Sequence, residues 1–368
     1  MPSSQLLYEI AITQVPGIGP VQAKILLDHF GTAAAIFAAK KSSLEKVEGI
    51  GAVKATAIKG FENYKKAEAE ISFIEQYKIT PLFITNEAYP QKLLSCSDAP
   101  VLLYYRGKAN LNAAKVIAVI GTRNKTDYGK QLTENLVKDL AAANVTIVSG
   151  LAFGVDAIAH KAAIKNQLPT VGVLAHGLDT IYPAEHTTLA KDIIKAGGGL
   201  LTEYGQKTKP DKHNFPTRNR IVAGMCDATV VIETDIKGGS MITASLAGAY
   251  KRDVFAFPGR VGDSKSAGCN YLIQHQKAQL IQSAADILQA MNWLQAAKKP
   301  AKQQRELFIH LTEAEKKVVA LLQSKEERHV DEINALSALT SSEVAAALLN
   351  LELQNVVVSR PGKQYALL

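Results

Sequence analysis

The chain is poor in the features that mark secreted, membrane and metal-binding proteins. Its three cysteines are far apart and form no C-x-x-C pair, which predicts reduced structural thiols and no zinc site: Cys96, Cys226 and Cys269. No apolar run approaches the roughly 18 residues needed to span a bilayer. The amino terminus, MPSSQLLYEI, lacks the basic and apolar regions of a signal peptide. We therefore expect a cytoplasmic protein with no membrane partner.

Signatures of bound nucleotide cofactors are also missing. The chain contains no G-x-x-x-x-G-K-[ST] sequence, and this absence argues against ATP hydrolysis. A dinucleotide site needs G-x-G-x-x-G after the first parallel strand, whereas VIAVIGTRNKTDYG has a single glycine at that turn, followed by Thr122 and Arg123. No cofactor is expected.

The formal net charge of +8 is unevenly distributed. Residues 79–306 hold 27 basic and 18 acidic residues, whereas residues 1–78 and 307–368 are close to neutral. A basic excess confined to the middle of the chain favours an anionic partner there, nucleic acid first. A generally solubilising surface would explain the charge alone equally well.

Residues 1–78 contain an internal repeat, VPGIGPVQAKIL from Val15 and VEGIGAVKATAI from Val47. Each glycine pair predicts a tight hairpin between two short helices, and the second helix offers free amides at its amino end. The pattern resembles the helix-hairpin-helix motif, whose members hold DNA phosphates. A helical domain whose hairpins only pack on each other is the alternative.

Residues 79–295 alternate short β-rich runs with amphipathic segments of 12–20 residues, which is typical of βαβ units. We predict an α/β domain with a mainly parallel sheet and helices on both faces, whose ligands bind at the carboxyl ends of the strands. The predicted strands are Val116–Ile120, Val145–Ser149, Thr170–Leu174, Gly199–Thr202, Thr229–Ile232 and Asp253–Phe257.

The carboxyl-terminal part begins with AAKKPAKQQRE, residues 296–306, which has no apolar face and is predicted to be a linker. Residues 307–368 contain three helical patterns followed by a β-hairpin, as in a winged-helix domain. The helix in the recognition position, Ser341–Leu353, has no lysine or arginine. Because a groove-reading helix needs cations, we expect a packing or protein-interaction module.

Polar residues follow the first two parallel strands, where a ligand is expected. Gly121, Thr122 and Arg123 end the first strand, and an arginine there directs a planar cation toward the ligand, unless a nearby carboxylate pairs with it. Ser149 and Gly150 close the second strand. Asp156 and His160 follow four residues apart on a helix, and we interpret this pair as structural rather than catalytic.

Two later segments complete the candidate site. Lys212 and Phe215 precede the triplet Arg218-Asn219-Arg220, a plausible track for a phosphodiester backbone. On a helix the two arginines point to different faces, and we predict that Arg220 meets the ligand while the protein itself holds Arg218. Lys237 leads into Gly238-Gly239-Ser240, which precedes an alanine-rich helix and forms an anion site by geometry.

Six ordered motifs over roughly residues 80–290 resemble the DNA-processing protein A (DprA/Smf) family: GTR…YG, SGLAFGVDAIAH, GLDTIYP, FPTRNRIVAG, GGSMITA and FPGR…GCNYLI. The resemblance implies an extended Rossmann-like domain, cooperative binding of single-stranded DNA, dimerisation and loading of the RecA recombinase during natural transformation. It matches Arg123 and Lys212 to DNA-contacting residues and places Arg218, Asn219, Arg220 and the glycine nest in one pocket. His186 departs from the asparagine usual in the family.

We therefore expect a non-enzymatic protein that binds single-stranded DNA without sequence preference. The alternative is an enzyme on a related fold, a nucleotide phosphoribohydrolase that carries a catalytic glutamate on the helix after the nest. Here KGGSMITASLAG has no acid in that stretch, which favours binding. A purely structural scaffold for recombination proteins would leave the basic pocket unexplained.

Overall fold

A computed structural model describes residues 4–294, 311–323, 327–354 and 356–367. The chain divides into two compact units, residues 1–295 and residues 296–368. The predicted linker at 296–306 lies outside the described residues. None of the described helices combines the length and apolar character needed to cross a lipid bilayer.

The first unit begins with a helical segment, which confirms the predicted helix-hairpin-helix start. Its helices are α1 (Ser4–Gln14), α2 (Pro20–Phe30), α3 (Ala33–Ala38), α4 (Lys41–Glu45), α5 (Gly51–Lys59) and α6 (Tyr64–Gln76). Gly17 and Gly49 adopt φ angles of 78° and 80° in the two hairpins, a conformation that favours glycine. The helices share an apolar core with Phe83 and Leu102 at the edge of the sheet.

Within residues 4–294 the structure contains a nine-stranded sheet in the order β1-β2-β6-β5-β4-β3-β7-β8-β9. The strands are β1 (Thr80–Phe83), β2 (Leu102–Gly107), β3 (Val116–Ile120), β4 (Thr146–Ser149), β5 (Thr170–Val173), β6 (Gly199–Thr202), β7 (Ala228–Val231), β8 (Asp253–Ala256) and β9 (Gln279–Leu280). Strands β3 to β9 are mutually parallel, and β2 runs antiparallel to β6. The mainly parallel sheet is as predicted.

Helices cover both faces of this sheet. They are α7 (Gln91–Leu94), α8 (Asp127–Asp139), α9 (Val155–Lys165), α10 (Thr187–Lys195), α11 (Asn214–Gly224), α12 (Gly239–Ala249), α13 (Ser264–Gln274) and α14 (Ala284–Ala290). Strand β3 shows why both faces need cover: Val116, Ala118 and Ile120 belong to one apolar core, and Ile117 and Val119 belong to the core on the opposite face.

The order of the strands fixes where a ligand cleft can form. From β3, strands β4, β5 and β6 extend to one side, while β7, β8 and β9 extend to the other. The loops that leave β3 and β7 therefore diverge at their carboxyl ends. Open parallel sheets bind ligands in the crevice at this switch point.

The second unit has the three helices and β-hairpin of a winged-helix domain, as predicted. Its described elements are α15 (Glu313–Gln323), β10 (Arg328–His329), α16 (Val330–Ser337), α17 (Ser341–Leu353), β11 (Val357–Arg360) and β12 (Gln364–Leu367). The strands pair in the order β10-β12-β11. Val318, Ile333, Val344 and Leu351 are fully buried at the centre of its core.

Glu233, just after β7, holds the loop that follows β3. Its backbone carbonyl accepts a hydrogen bond of 2.7 Å from the Thr122 amide, and its carboxylate accepts one of 3.0 Å from the Thr126 amide and another from the Thr126 hydroxyl. Gly129 in the first turn of α8 lies directly against this carboxylate. The buried glutamate therefore positions the turn that carries Arg123.

Replacing Gly129 by alanine tests this packing. A Cβ at position 129 would lie 2.1 Å from Glu233 Oε2, and both oxygens of this buried carboxylate are hydrogen-bonded, so Gly129→Ala should destabilise the protein by about 1–3 kcal/mol. Gly248→Ala is the matched control, because Gly248 is helical and exposed with no atom within 4 Å of its added Cβ. The control should stabilise by about 0.5–1 kcal/mol through helix propensity. Thermal unfolding measures both variants, and equal shifts would contradict the packing described.

Candidate nucleic-acid interface

A cleft of about 610 Å³ lies at the carboxyl ends of β3, β4 and β7. The loops after these strands, α11 and the amino end of α12 form its walls. It brings together most of the residues predicted from the sequence: Gly121, Thr122, Arg123, Gly150, Lys212, Phe215, Arg218, Asn219, Gly238, Gly239 and Ser240. Segments separated by more than a hundred residues thus meet at the predicted edge of the sheet.

The amino end of α12 forms one wall. The helix begins at Gly239, and its N-cap residue, Gly238, has no side chain that could occupy the first-turn amides. The Ser240 hydroxyl is buried and donates to Thr234 Oγ1 at 2.7 Å, so it is bonded to another residue of the cleft wall. The Met241 amide donates to the Gly238 carbonyl, so this wall presents the N–H groups of Gly239 and Ser240 and the positive end of the helix dipole.

Arg123 and Lys212 are the exposed cations of the cleft. The Arg123 guanidinium carbon lies 5.2 Å from the centre of the Phe215 ring, a cation–π contact. Among the residues that the structure describes, no carboxylate oxygen lies within 4.0 Å of the Arg123 guanidinium nitrogens. The alternative of an internal ion pair for Arg123 is therefore wrong for the described chain.

Arg218 lies at the floor of the cleft and is only 5% exposed. Its Nη1 donates to the carbonyl of Val173, and its Nε donates to Asn219 Oδ1 at 3.2 Å. Burial lowers the pKa of the Arg218 guanidinium, and the charge of nearby Asp156 opposes that shift. An arginine remains protonated under these conditions, so the floor carries a positive charge.

The placement of Arg220 corrects the prediction that it meets the ligand. Arg220 forms a buried ion pair with Glu203, donates to the carbonyl of Asp98 and does not line the cleft. Two helical positions separated by two residues point about 200° apart, so the arginines do face different sides. The orientations are the reverse of those predicted, because Ile221 packs into the core, so that Arg220 lies toward Glu203 and Arg218 lines the cleft.

Ser149 and Lys237 also lie elsewhere than predicted. Ser149 is fully buried in β4, and its hydroxyl donates to the carbonyl of Val119 at 2.7 Å, so it stabilises the sheet beneath the cleft. Lys237 is exposed on the turn before α12 and does not line the cleft. A position next to a strand end in sequence does not show on which side of the chain its side chain lies.

Asp156 and His160 have separate hydrogen-bond partners. His160 is fully buried, with hydrogen bonds of 2.7 Å to Thr170 Oγ1 and 2.6 Å to the carbonyl of Gly150, and burial lowers its pKa to about 4. Asp156 instead lines the cleft and accepts a bond from the Ala152 amide at 3.3 Å. Within the described residues no group of three or more side chains of the metal-binding types could hold a metal ion.

The cleft includes residues that sequence reasoning did not select: Asp156, Tyr182, Thr234, Asp235, Ile242 and Thr243. Thr234 and Asp235 directly follow a strand, so the rule of inspecting strand ends would have found them. Tyr182 comes from a distant turn, and its ring centre lies 5.9 Å from that of Phe215. Tyr182 and Phe215 form an aromatic row, and no sequence pattern predicts it.

His186 stands where the family that the sequence resembles usually has asparagine, and its contacts are structural. It is buried, its Nδ1 lies 2.8 Å from the carbonyl oxygen of Leu151, and its ring packs edge-on against Phe153 with centres 4.8 Å apart. Phe153 lines a small side pocket beside the cleft together with Tyr182 and Phe215. The departure therefore lies at the support of this side pocket, which shares Tyr182 and Phe215 with the basic cleft.

Comparisons with known proteins agree along the whole chain. Sequence models match the family described as DNA recombination-mediator protein A over residues 80–292, the DprA winged helix domain over residues 297–363 and a SAM-like helix-hairpin-helix tandem over residues 9–60. Protein Smf of Synechocystis sp. is 33% identical over 401 residues, which cover 99% of both chains. DNA processing protein DprA of Bacillus subtilis is 38% identical over 242 residues, 65% of this chain and 81% of the relative.

Similar solved structures include two of DNA processing protein A. DNA processing protein A of Streptococcus pneumoniae has a TM-score of 0.67 and 33% identity, covering 77% of this chain and 97% of the other. The Helicobacter pylori protein, whose structure concerns its single-stranded DNA binding mode, has a TM-score of 0.53 and 33% identity, covering 58% of this chain and 96% of the other. With more than half of its length matched to the family and a one-third-identical relative spanning nearly all of it, the chain belongs to the DNA recombination-mediator protein A (DprA/Smf) family.

Proposed function

We propose that this protein processes DNA by binding single strands in the cleft through their phosphate backbone, without sequence specificity and without catalysing a reaction. The observation that carries the proposal is the convergence of Arg123, Lys212 and Arg218 on the free amino end of α12. Guanidinium groups and first-turn amides are the donors that proteins use for phosphates. The similar Helicobacter pylori protein, described as binding single-stranded DNA, supports this choice of ligand.

The aromatic row beside the cations favours a single strand over a duplex. Tyr182 is 48% exposed, and the ring of Phe215 contacts both Tyr182 and Arg123. Unpaired bases stack on such rings, whereas the bases of a duplex are already stacked on each other. Stacking adds about 1–3 kcal/mol per base and tolerates any sequence.

We also propose a role in the cell, and the family of the chain supports it. Bound along its phosphates, an incoming strand is protected and is then passed to the RecA recombinase, in natural transformation and homologous recombination. A homodimer in the cytoplasm is the form that we propose for this step. Its support is the membership of a family of recombination mediators.

Removing one exposed cation tests the binding site. Arg123→Ala should weaken binding of a labelled oligothymidine about tenfold, the loss of one charge-assisted contact, and Lys212→Ala should weaken it similarly. Each variant should also lower the slope of log affinity against log salt by about 0.7. Fluorescence anisotropy without ATP measures both quantities.

Lys209→Ala is the matched control for these variants, because Lys209 is an exposed cation of the same loop that does not line the cleft. It should bind the oligonucleotide as the wild type does. If Lys209→Ala loses as much affinity as Arg123→Ala, general surface charge rather than the cleft binds the strand. A wild-type protein that ignores single strands would overturn the proposal.

The competing enzyme, a nucleotide phosphoribohydrolase, has little support at the same site. Helix α12 reads GSMITASLAGA and offers no carboxylate to attack or protonate a nucleotide. The buried Glu233 is occupied by the amide and hydroxyl of Thr126. The carboxylates that line the cleft are Asp156 and Asp235.

Incubation with nucleoside monophosphates separates the two functions. We expect no free base by chromatography after prolonged incubation, because no catalytic carboxylate stands on the helix beside the amino-end anion site. Base release that disappears in Asp156→Asn or Asp235→Asn protein would establish the enzyme instead.

A further inference from the structure

Two carboxylates line a cleft that is otherwise suited to phosphates, and their surroundings differ. Asp235 is exposed at the rim, and its Oδ1 accepts a hydrogen bond of 3.2 Å from the Lys237 amide. Asp156 is 8% exposed, lies in the first turn of α9 and reaches the floor of the cleft. A buried negative charge at a phosphate site costs free energy twice, through desolvation and through repulsion of the ligand.

The carboxylate of Asp156 and the guanidinium of Arg218 both lie beside Gly150. A Cβ on Gly150 would lie 2.4 Å from Asp156 Oδ2, 2.6 Å from Arg218 Nη2 and 2.7 Å from Arg218 Nη1. The carboxylate and the guanidinium are therefore neighbours, although the two groups form no ion pair within 4.0 Å. Glycine at position 150 is what leaves room for both.

The remaining contacts of Arg218 determine which nitrogen of its guanidinium has no protein acceptor. Nη1 donates to the carbonyl of Val173 and Nε donates to Asn219 Oδ1, whereas Nη2 donates to no protein atom within the described residues. Asp156 is itself held by the Ala152 amide. The carboxylate thus attracts the guanidinium from one side, and the Nη2 hydrogens remain without a protein acceptor within the described residues.

We propose that Asp156 is a positioning residue for nucleic-acid binding: its carboxylate holds the Arg218 guanidinium at the cleft floor so that Nη2 faces the phosphate. This inference rests on the proposed function and assigns a role to a residue whose charge opposes the ligand. Burial raises the pKa of Asp156, and the charge of Arg218 acts against that rise, as expected for a carboxylate retained by its cationic neighbour. The alternatives are a role confined to the amino end of α9 and a fortuitous charge.

The two carboxylates provide a test with opposite expected signs. Each of Asp156→Asn and Asp235→Asn removes one negative charge from the cleft, and simple electrostatics predicts tighter binding for both. We expect Asp235→Asn to bind labelled oligothymidine about twofold more tightly. We expect Asp156→Asn to bind about tenfold more weakly, the effect of one misdirected charge-assisted contact. Binding by Asp156→Asn as tight as wild type, or tighter, overturns the proposal.

A double-mutant cycle separates positioning from a structural role. Arg218→Gln removes the guanidinium while keeping an N–H donor near the position of Nε, which donates to Asn219 Oδ1, and it should itself weaken binding about tenfold. If Asp156 acts through Arg218, adding Asp156→Asn to Arg218→Gln changes the affinity less than about twofold. An equal loss in both backgrounds means that Asp156 only supports α9, and the proposal fails.

Folding and the proposed function are controlled separately. Thermal unfolding identifies folded variants, and Asp156→Ser, which keeps an oxygen for the Ala152 amide, replaces the asparagine variant in the same cycle if that variant does not fold. If the wild type binds no single strand, the proposed function fails and the positioning role fails with it. If the wild type binds and Arg218→Gln binds weakly but Asp156→Asn binds normally, the positioning role alone is wrong.

Discussion

Two guanidinium groups are buried on one helix, and the arrangement of the first unit follows from how their charges are accommodated. Arg218 and Arg220 of α11 are 5% and 6% exposed. Taking such ions out of water costs several kcal/mol each unless acceptors surround them. Arg220 is matched by a full ion pair with Glu203 and a backbone carbonyl, which joins α11 to the end of β6. Arg218 has a carbonyl, an amide oxygen and a carboxylate at a distance, so part of its hydrogen-bonding capacity remains for a ligand.

The topology of the sheet explains why the Arg218 guanidinium lies at a cleft. Because β4 and β7 extend the sheet on opposite sides of β3, their following loops open a crevice, and the amino end of α12 points into it. Glu233 locks the turn after β3 to the end of β7, so Arg123 stands opposite the helix end. The sheet thus places donors from separate segments around one cleft, together with the cations Arg123, Lys212 and Arg218.

Much of this architecture is predictable from the sequence. Six parallel strands were recognisable from apolar runs, and each lies within about one residue of its expected bounds, the usual uncertainty of such limits. The cations at strand ends were recognisable because the ligand edge follows from the fold. The sequence does not show which face of α11 turns toward the core, since this depends on the packing of Ile221 against distant residues. The burial of Ser149 and the approach of Asp156 to Arg218 likewise depend on tertiary contacts that local patterns do not contain.

The central claim is that the strand lies in the cleft of the sheet domain. A crystal structure of the full chain with a short oligothymidine tests it most directly. The account predicts a phosphate within hydrogen-bonding distance of Arg218 Nη2 and of the first-turn amides of α12, with a base against Phe215 or Tyr182. An oligonucleotide bound only to the helix-hairpin-helix segment or to the winged-helix unit, with the cleft empty, would contradict it.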